Sequence, residues 1–185
     1  MRRLFIAAVP GDNLLQRLLA MQQALAERAL ILKLTPETNL HLTLRFIGAC
    51  DEGLTEGVRD WFAALPQTDL AAAAGVLTGF GQFLNRDGLT VYAAVRAKAG
   101  LTALQMQLEQ GLRGLGIGAE TRPFVPHITL ARKVKLRRAL DGAEDGAGTR
   151  FVPRAVVLYE SRLAAGGPSY LPLVVRHLNN MNEVE

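Results

Sequence analysis

One four-residue phrase occurs twice in this 185-residue chain, and it holds two of the three histidines. His41-Leu42-Thr43-Leu44 and His127-Ile128-Thr129-Leu130 each alternate polar and apolar side chains, the period of a half-buried strand. Residues two apart on a strand share a face. Each phrase therefore sets an imidazole beside a hydroxyl, while Leu42, Leu44, Ile128 and Leu130 turn into a core. A lone His-x-Thr is usually a sheet residue with a satisfied side chain. The repetition, each time after a turn rich in proline or asparagine, is what points to chemistry. Two such pairs brought face to face would make an acid–base site.

The remaining composition limits the classes this chain can belong to. At 49% hydrophobic and 21% charged residues it reads as a globular protein, too apolar for disorder. No low-complexity linker interrupts it, so one domain over 1–185 is expected. The net charge of +4 favours an anionic partner, without by itself indicating nucleic acid. A single cysteine, Cys50, excludes an intrachain disulfide framework and a cysteine-rich zinc site. The opening Met1-Arg2-Arg3 followed by LFIAAV imitates a signal peptide, but Pro10-Gly11-Asp12 stops the apolar run early. No stretch approaches the roughly 18 apolar residues of a membrane span. A cytoplasmic, monomeric protein with no membrane partner is expected.

Along the chain, Leu4 to Val9 reads as a buried strand, and Asp12 or Asn13 as the cap of a helix through LLQRLLAMQQALAERAL. Ile31 to Leu34 is a short strand, and Pro36 to Asn39 turns the chain into HLTLRFIG. Asp51 opens a second helix with Trp61 and Phe62 on its buried side. Leu70 to Leu77 reads as a strand, GFGQF as a glycine-punctuated segment, Asn85 to Gly88 as a turn, and Leu89 to Val95 as a strand. Leu104, Leu108 and Leu112 mark one face of a helix over Leu101 to Leu115. Two prolines, Pro123 and Pro126, restrict the approach to HITL. Leu140 to Gly148 reads as a mobile loop. Strands at Phe151 to Tyr159 and Tyr170 to Val175 flank a turn at Gly166-Gly167, and the tail after Asn179 reads as frayed. The order is a diffuse duplication: an α+β fold of two similar lobes, antiparallel sheets facing a central cleft, helices on the outside.

The paired motifs, their spacing and their surroundings resemble the 2H phosphoesterase superfamily, and most nearly its RNA 2′,3′-cyclic phosphodiesterases, historically called 2′-5′ RNA ligases. LFIAAVP resembles the family's opening strand and NLHLTLRFIG its first motif. GFGQFLNRDG resembles its central segment, RPFVPHITLAR its second motif and VVLYESRL its closing strand. Two departures stand out. Leu84-Asn85-Arg86 replaces a frequent proline and arginine, and Tyr92 stands where a tryptophan is common.

The resemblance implies ring-opening of RNA 2′,3′-cyclic phosphate ends to 2′-phosphomonoesters, with reversible ATP-independent 2′-5′ joining as a side reaction. Small cyclic nucleotides are alternative substrates, and a nucleotide-binding module without turnover is an alternative function. Imidazoles titrate near neutrality, so one histidine can activate water while the other protonates the departing oxygen. The resemblance implies His127 as base and His41 as acid; the symmetry of the motifs leaves that assignment open. Thr43 and Thr129 would donate to phosphoryl oxygens. Arg132 stands where similar proteins place a phosphate-binding arginine, five residues past His127 and out of phase with its face, so the strand has to end or bulge before it. Arg45 is in phase with His41 and Thr43 and would also face the cleft. Tyr159, Phe83 and Tyr92 could stack on a base. His177 lies outside either motif and reads as structural or superficial. No metal or cofactor is expected: two distant histidines make no zinc signature, and there is no GxxxxGK[ST] loop for ATP. Gly79-x-Gly81 is too little to suggest a dinucleotide site.

Overall fold

The computed structural model describes residues 1–67, 73–140, 146–164 and 167–178. Its strands are β1 (Arg2–Pro10), β2 (Ala29–Leu34), β3 (Leu42–Cys50), β4 (Gly75–Asn85), β5 (Gly88–Ala97), β6 (His127–Leu136), β7 (Arg150–Phe151), β8 (Pro153–Ala164) and β9 (Gly167–His177). The helices are α1 (Asp12–Arg28), α2 (Glu52–Ala63) and α3 (Ala99–Gly114). Every strand pairing is antiparallel. The order is β7-β4-β5-β6-β3-β1-β8-β9, with β2 pairing on β6.

The sheet is two lobes sewn together at one point. β3-β1-β8-β9 forms one lobe and β7-β4-β5-β6-β2 the other, joined where Leu42 of β3 pairs with Ile128 of β6. The α+β, two-lobed architecture is the expected one. The lobes are not the two halves of the chain, however. β8 and β9 return from the C-terminal side to complete the first lobe, and α1 and β2 cross from β1 to pack on β6 of the second. This interleaving explains why the duplication is diffuse in sequence.

One apolar core runs beneath both lobes. Leu4, Ile6 and Ala8 of β1 share it with Leu14, Leu18, Met21 and Leu25 of α1 and with Leu101, Leu104, Leu108 and Leu112 of α3. These leucines recur every three or four residues, so a single helical stripe is buried in each case. Leu4 to Ala8 are all buried, β1 lying between β3 and β8 in the middle of its lobe. On α2, Asp51 caps the first turn by accepting a hydrogen bond from Leu54 N at 2.8 Å, and Phe62 is fully buried. On α1 the expected cap is displaced: Gly11 occupies the N-cap position, and Asp12 sits in the first turn, where its negative charge complements the helix dipole.

The glycine-punctuated segment is part of β4, which forms a hairpin with β5. Gly81 lies opposite Tyr92, and a Cβ there would overlap the Tyr92 ring. The absent side chain gives that ring its seat beside His127. Of the expected Leu70–Leu77 strand, Gly75 to Leu77 is β4, and residues 70–72 lie outside the described residues. Most of the expected loop at 140–148, Gly166 and the tail from Asn179 also lie outside them. Among the described residues no helix is long and apolar enough to cross a membrane.

Replacing Gly81 by Ala should displace Tyr92 and destabilise the fold by about 1–3 kcal/mol, the usual effect of overpacking. Urea unfolding followed by fluorescence or circular dichroism would measure it.

Candidate active site

The two phrases meet at the seam between the lobes. The antiparallel pairing of Leu42 with Ile128 sets His41 across from Thr129 and Thr43 across from His127. Leu42 and Ile128 are fully buried, so the four polar side chains share the opposite face. That face opens into a cleft of about 480 Å³. Arg3, Lys33, Arg122 and Arg132 line it, and among the described residues no carboxylate does.

Each imidazole is held the same way. His41 Nδ1 donates to the Asn39 carbonyl at 2.8 Å, and His127 Nδ1 donates to the Val125 carbonyl at 2.6 Å. A carbonyl oxygen only accepts, so Nδ1 carries the hydrogen in both rings and Nε2 is left to exchange protons. The turns before the strands supply these carbonyls: the 3-10 turn Glu37–Asn39 in one case and the Pro123–Pro126 segment in the other. Thr43 lies with its hydroxyl 3.1 Å from His41 Nε2, donating to the neutral ring.

Burial holds both histidines below their ordinary range. It pushes His41 down to about 4, opposed by the Asn39 hydrogen bond and assisted by His127 and Arg132 nearby. His127 is lowered by burial as well, again with Arg132 adding to the effect. An anion between the two rings would favour the protonated form.

Aromatic rings brace each imidazole. His41 lies 5.2 Å from Phe5 and meets Tyr170 edge-on at 5.3 Å. His127 meets Phe83 edge-on at 5.2 Å and lies 5.0 Å from Tyr92. Tyr159 stacks on Phe5 at 5.2 Å, with its ring 6.5 Å from that of His41, and Phe5 and Tyr170 line the cleft.

Beyond each threonine the strand bulges at the same place. In the β1–β3 ladder Thr43 and Arg45 face Ala7 and Ile6, leaving Leu44 without a partner; in the β5–β6 ladder Thr129 and Ala131 face Tyr92 and Val91, leaving Leu130 without one. An extra residue shifts the side-chain phase by one. Leu44 and Arg45 are therefore both buried, as are Leu130 and Ala131, and the next residue turns outward in each strand. That residue is Phe46 in β3 and Arg132 in β6, each five positions after its histidine and each lining the cleft. A second irregularity follows in both strands, with Gly48 at φ 94° and Lys133 at φ 54°.

A bulge frees backbone groups that a buried site has to satisfy. Gln22 of α1, 5% exposed, donates to the carbonyls of Leu130 and Thr35, both at 2.8 Å. Arg45, also 5% exposed, donates to the carbonyls of Phe46 and Gly118 and pairs with Glu109 of α3. Arg45 thus faces the helix layer and not the cleft. The bulge at Leu44 reverses the phase that simple alternation assigned to it.

The structure therefore brings together His41, Thr43, His127, Thr129 and Arg132, turns Arg45 into the helix layer, and leaves Tyr159 half-buried beside Phe5, outside the cleft lining. His177 lies at the end of β9, away from the cleft lining. Sequence reasoning missed Phe46, Gln22, Tyr170 and Arg122. Phe46 was within reach, because the five-residue step that picks out Arg132 lands on it in the first phrase. Gln22 carried no local signal; its partners are 13 and 108 positions away.

Outer helices, two antiparallel lobes and paired His-x-Thr strands at their seam define the 2H phosphoesterase fold. The chain belongs to the 2′-5′ RNA ligase superfamily, whose sequence profile matches residues 10–157. An RNA 2′,3′-cyclic phosphodiesterase of Methanocaldococcus jannaschii is 25% identical over 174 residues, covering 91% of this chain and 96% of the relative. One from Aeropyrum pernix is 29% identical over 168 residues, covering 85% and 92%. Among solved structures, E. coli LigT complexed with 3′-AMP superposes with a TM-score of 0.75 at 23% identity, over 96% of this chain and 98% of that one. TT0787 of Thermus thermophilus gives 0.73 at 27% identity, over 95% and 97%.

Two stability predictions follow from the site's supports. Gln22→Leu removes a donor from the buried Leu130 carbonyl, which keeps Thr35 N, and from the part-buried Thr35 carbonyl, and should cost about 1 kcal/mol in urea unfolding. His41 in the folded chain resists protonation, so the protein should lose stability as pH falls from about 6.5 towards 4. The Tm difference between pH 7 and pH 4.5 should accordingly be smaller for His41→Gln than for the wild type.

Proposed function

We propose that this protein hydrolyses RNA 2′,3′-cyclic phosphate ends to 2′-phosphomonoesters by paired general acid and base catalysis, without a metal or other cofactor. One observation carries this reading: two Nε2 atoms of fixed tautomer and two threonine hydroxyls are grouped around one cationic cleft. The whole described chain serves that site as a single bilobal unit. The family and the two archaeal relatives, named as RNA 2′,3′-cyclic phosphodiesterases, support the same substrate class.

His127 Nε2 takes a proton from water as the water oxygen bonds to phosphorus. His41 Nε2–H delivers its proton to O3′ as the P–O3′ bond breaks, leaving a 2′-phosphate and a free 3′-hydroxyl. Thr43 and Thr129 donate to the non-bridging oxygens, where charge accumulates, and Arg132 binds the phosphoryl group. The bound phosphate anion raises the acid histidine from its depressed value and charges it only when substrate is present. A 5′-hydroxyl in place of water attacks phosphorus in the same step, its proton passing to His127 as the P–O3′ bond breaks, and joins ends in a 2′-5′ linkage without ATP. Among the described residues no group of three or more His, Cys, Asp and Glu side chains is arranged to hold a metal ion.

The decisive assay is cleavage of an RNA oligonucleotide ending in 2′,3′-cyclic phosphate, in EDTA, with 2′- and 3′-phosphate products resolved. Wild type should give the 2′-phosphate. His41→Ala and His127→Ala should each lose turnover by several orders of magnitude at unchanged Tm, and Thr43→Ala or Thr129→Ala should lose about 10²–10³-fold, the effect of removing one oxyanion donor. Folded, nucleotide-binding wild type without turnover on this substrate or on small cyclic nucleotides would leave a binding module.

The pH profile offers a second check. kcat/KM should trace a bell, because one histidine has to be neutral and the other charged. Alongside burial, Arg132 holds both rings down, so Arg132→Gln should lower activity and move the bell to higher pH.

A further inference from the structure

His41 and His127 are braced by rings from different hairpins, and the two hairpins place those rings differently. On the His127 side, β4 and β5 supply Phe83, edge-on at 5.2 Å, and Tyr92 at 5.0 Å. Tyr92 sits across the hairpin from Gly81, and its hydroxyl lies over that glycine, where an added Cβ would come within 2.6 Å of it. Neither ring lines the cleft. On the His41 side, β8 and β9 supply Tyr170, which meets the imidazole edge-on at 5.3 Å and Phe5 at 4.9 Å. Of the three tyrosines, all within the described residues, Tyr170 alone lines the cleft.

The β8–β9 hairpin is fastened to the turn that sets His41. Asn39 serves both: its backbone carbonyl accepts the hydrogen of His41 Nδ1 at 2.8 Å, and its side-chain Nδ2 donates to the Pro168 carbonyl at 3.1 Å. Pro168 precedes Tyr170 by two residues on β9. One asparagine therefore fixes the tautomer of the imidazole and the entry of the strand whose ring packs on it. The second motif lacks this arrangement, since Val125, in the equivalent position, has a side chain that cannot donate. The hairpin also reaches across the cleft: a Cβ added to Gly167 would lie 3.4 Å from Lys33 Nζ of β2, in the other lobe. Arg132 belongs to that lobe too, and its positive charge acts on His41, His127 and the Tyr170 hydroxyl alike. These three groups therefore surround the space in front of Arg132. Burial raises the Tyr170 hydroxyl above its ordinary value, so at neutral pH it holds its proton and can donate.

We propose that Tyr170 is a further catalytic residue: its hydroxyl donates a hydrogen bond to a phosphoryl oxygen from the side of the cleft opposite Arg132, and Asn39 is the residue that positions it. This rests on the phosphodiesterase reading above and adds a donor from the β8–β9 hairpin to those of the two motif strands. Charge on the phosphoryl oxygens grows as water adds to phosphorus, and an aligned neutral hydroxyl stabilises that charge without giving up its proton. Thr43 and Thr129 approach from the seam and Arg132 from the second lobe, so a donor on β9 covers the flank beside His41.

The test separates the hydroxyl from the ring. Tyr170→Phe keeps the ring that braces His41 and removes only the oxygen. On an RNA oligonucleotide ending in 2′,3′-cyclic phosphate its kcat should fall about 10–100-fold, the effect of losing one hydrogen bond to a charged group, with KM moving less. Tm and the limbs of the pH–rate bell should stay where they are in wild type, because the surroundings of both histidines are retained. Asn39→Ala leaves the backbone carbonyl that His41 uses and removes the tie to Pro168, so kcat should fall about 2–10-fold. In the Asn39→Ala/Tyr170→Phe double variant the asparagine change should cost nothing further, since it acts through the hydroxyl. Full turnover in Tyr170→Phe, a loss that comes with shifted limbs, or an Asn39→Ala loss that persists undiminished in the double variant overturns the inference and leaves the phosphodiesterase reading standing. A wild type that does not cleave this substrate sinks both.

Discussion

The lining of the cleft beyond the two histidines depends on a surplus residue in each of two strands. Leu44 and Leu130 have no partner in the ladders beside them, and the slip they introduce turns Phe46 and Arg132 into the cleft. Without the slip, alternation would bury these two and expose Arg45 and Ala131. A bulge in a covered sheet is tolerable only if its freed backbone groups find partners, since an unpaired buried carbonyl is costly. Gln22, on a helix, shares the Leu130 carbonyl with Thr35 N, and Arg45, within the strand, takes the Phe46 carbonyl. These two residues sit outside the chemistry and hold its geometry.

The lobes are alike in design and unlike in one respect. Each presents His-x-Thr, fixes its imidazole through the carbonyl two residues upstream, and braces the ring with aromatics. The seam between them is a single backbone pair, so the four polar side chains face a cleft instead of being sealed into a continuous sheet. Burial depresses both imidazoles, and a bound phosphate is the natural counter-charge that reverses this. What breaks the symmetry is the pair brought out by the bulges, an aromatic ring on one side and a guanidinium on the other.

The interleaved topology gives the site its rigidity. α1 leaves β1 in one lobe and packs on β6 in the other, while β8 returns to flank β1. Each lobe is thus built from segments distant in sequence, and the core beneath them is continuous. Displacement of one histidine relative to the other would disturb that shared core, which close packing resists.

Much of this was legible in the chain itself. The period-two phrases located both strands, the leucine stripes located α1 and α3, and Asp51 marked the start of α2, because these signals rest on local periodicity and capping. The repeated phrase also named both histidines and both threonines. Arg45 shows where local reasoning stops: alternation placed it in the cleft, and a register slip measured against β1 took it away. Tyr159 shows the same limit: its phase is right, but it lies on β8, on the far side of β1 from the seam, and does not line the cleft. Sequence by itself determined which residues could do acid–base chemistry and which strands carry them, because side-chain phase is a property of consecutive residues. Tertiary structure decided which of those side chains reach the cleft, because register, bulges and seam are fixed by pairing between strands that the sequence keeps far apart.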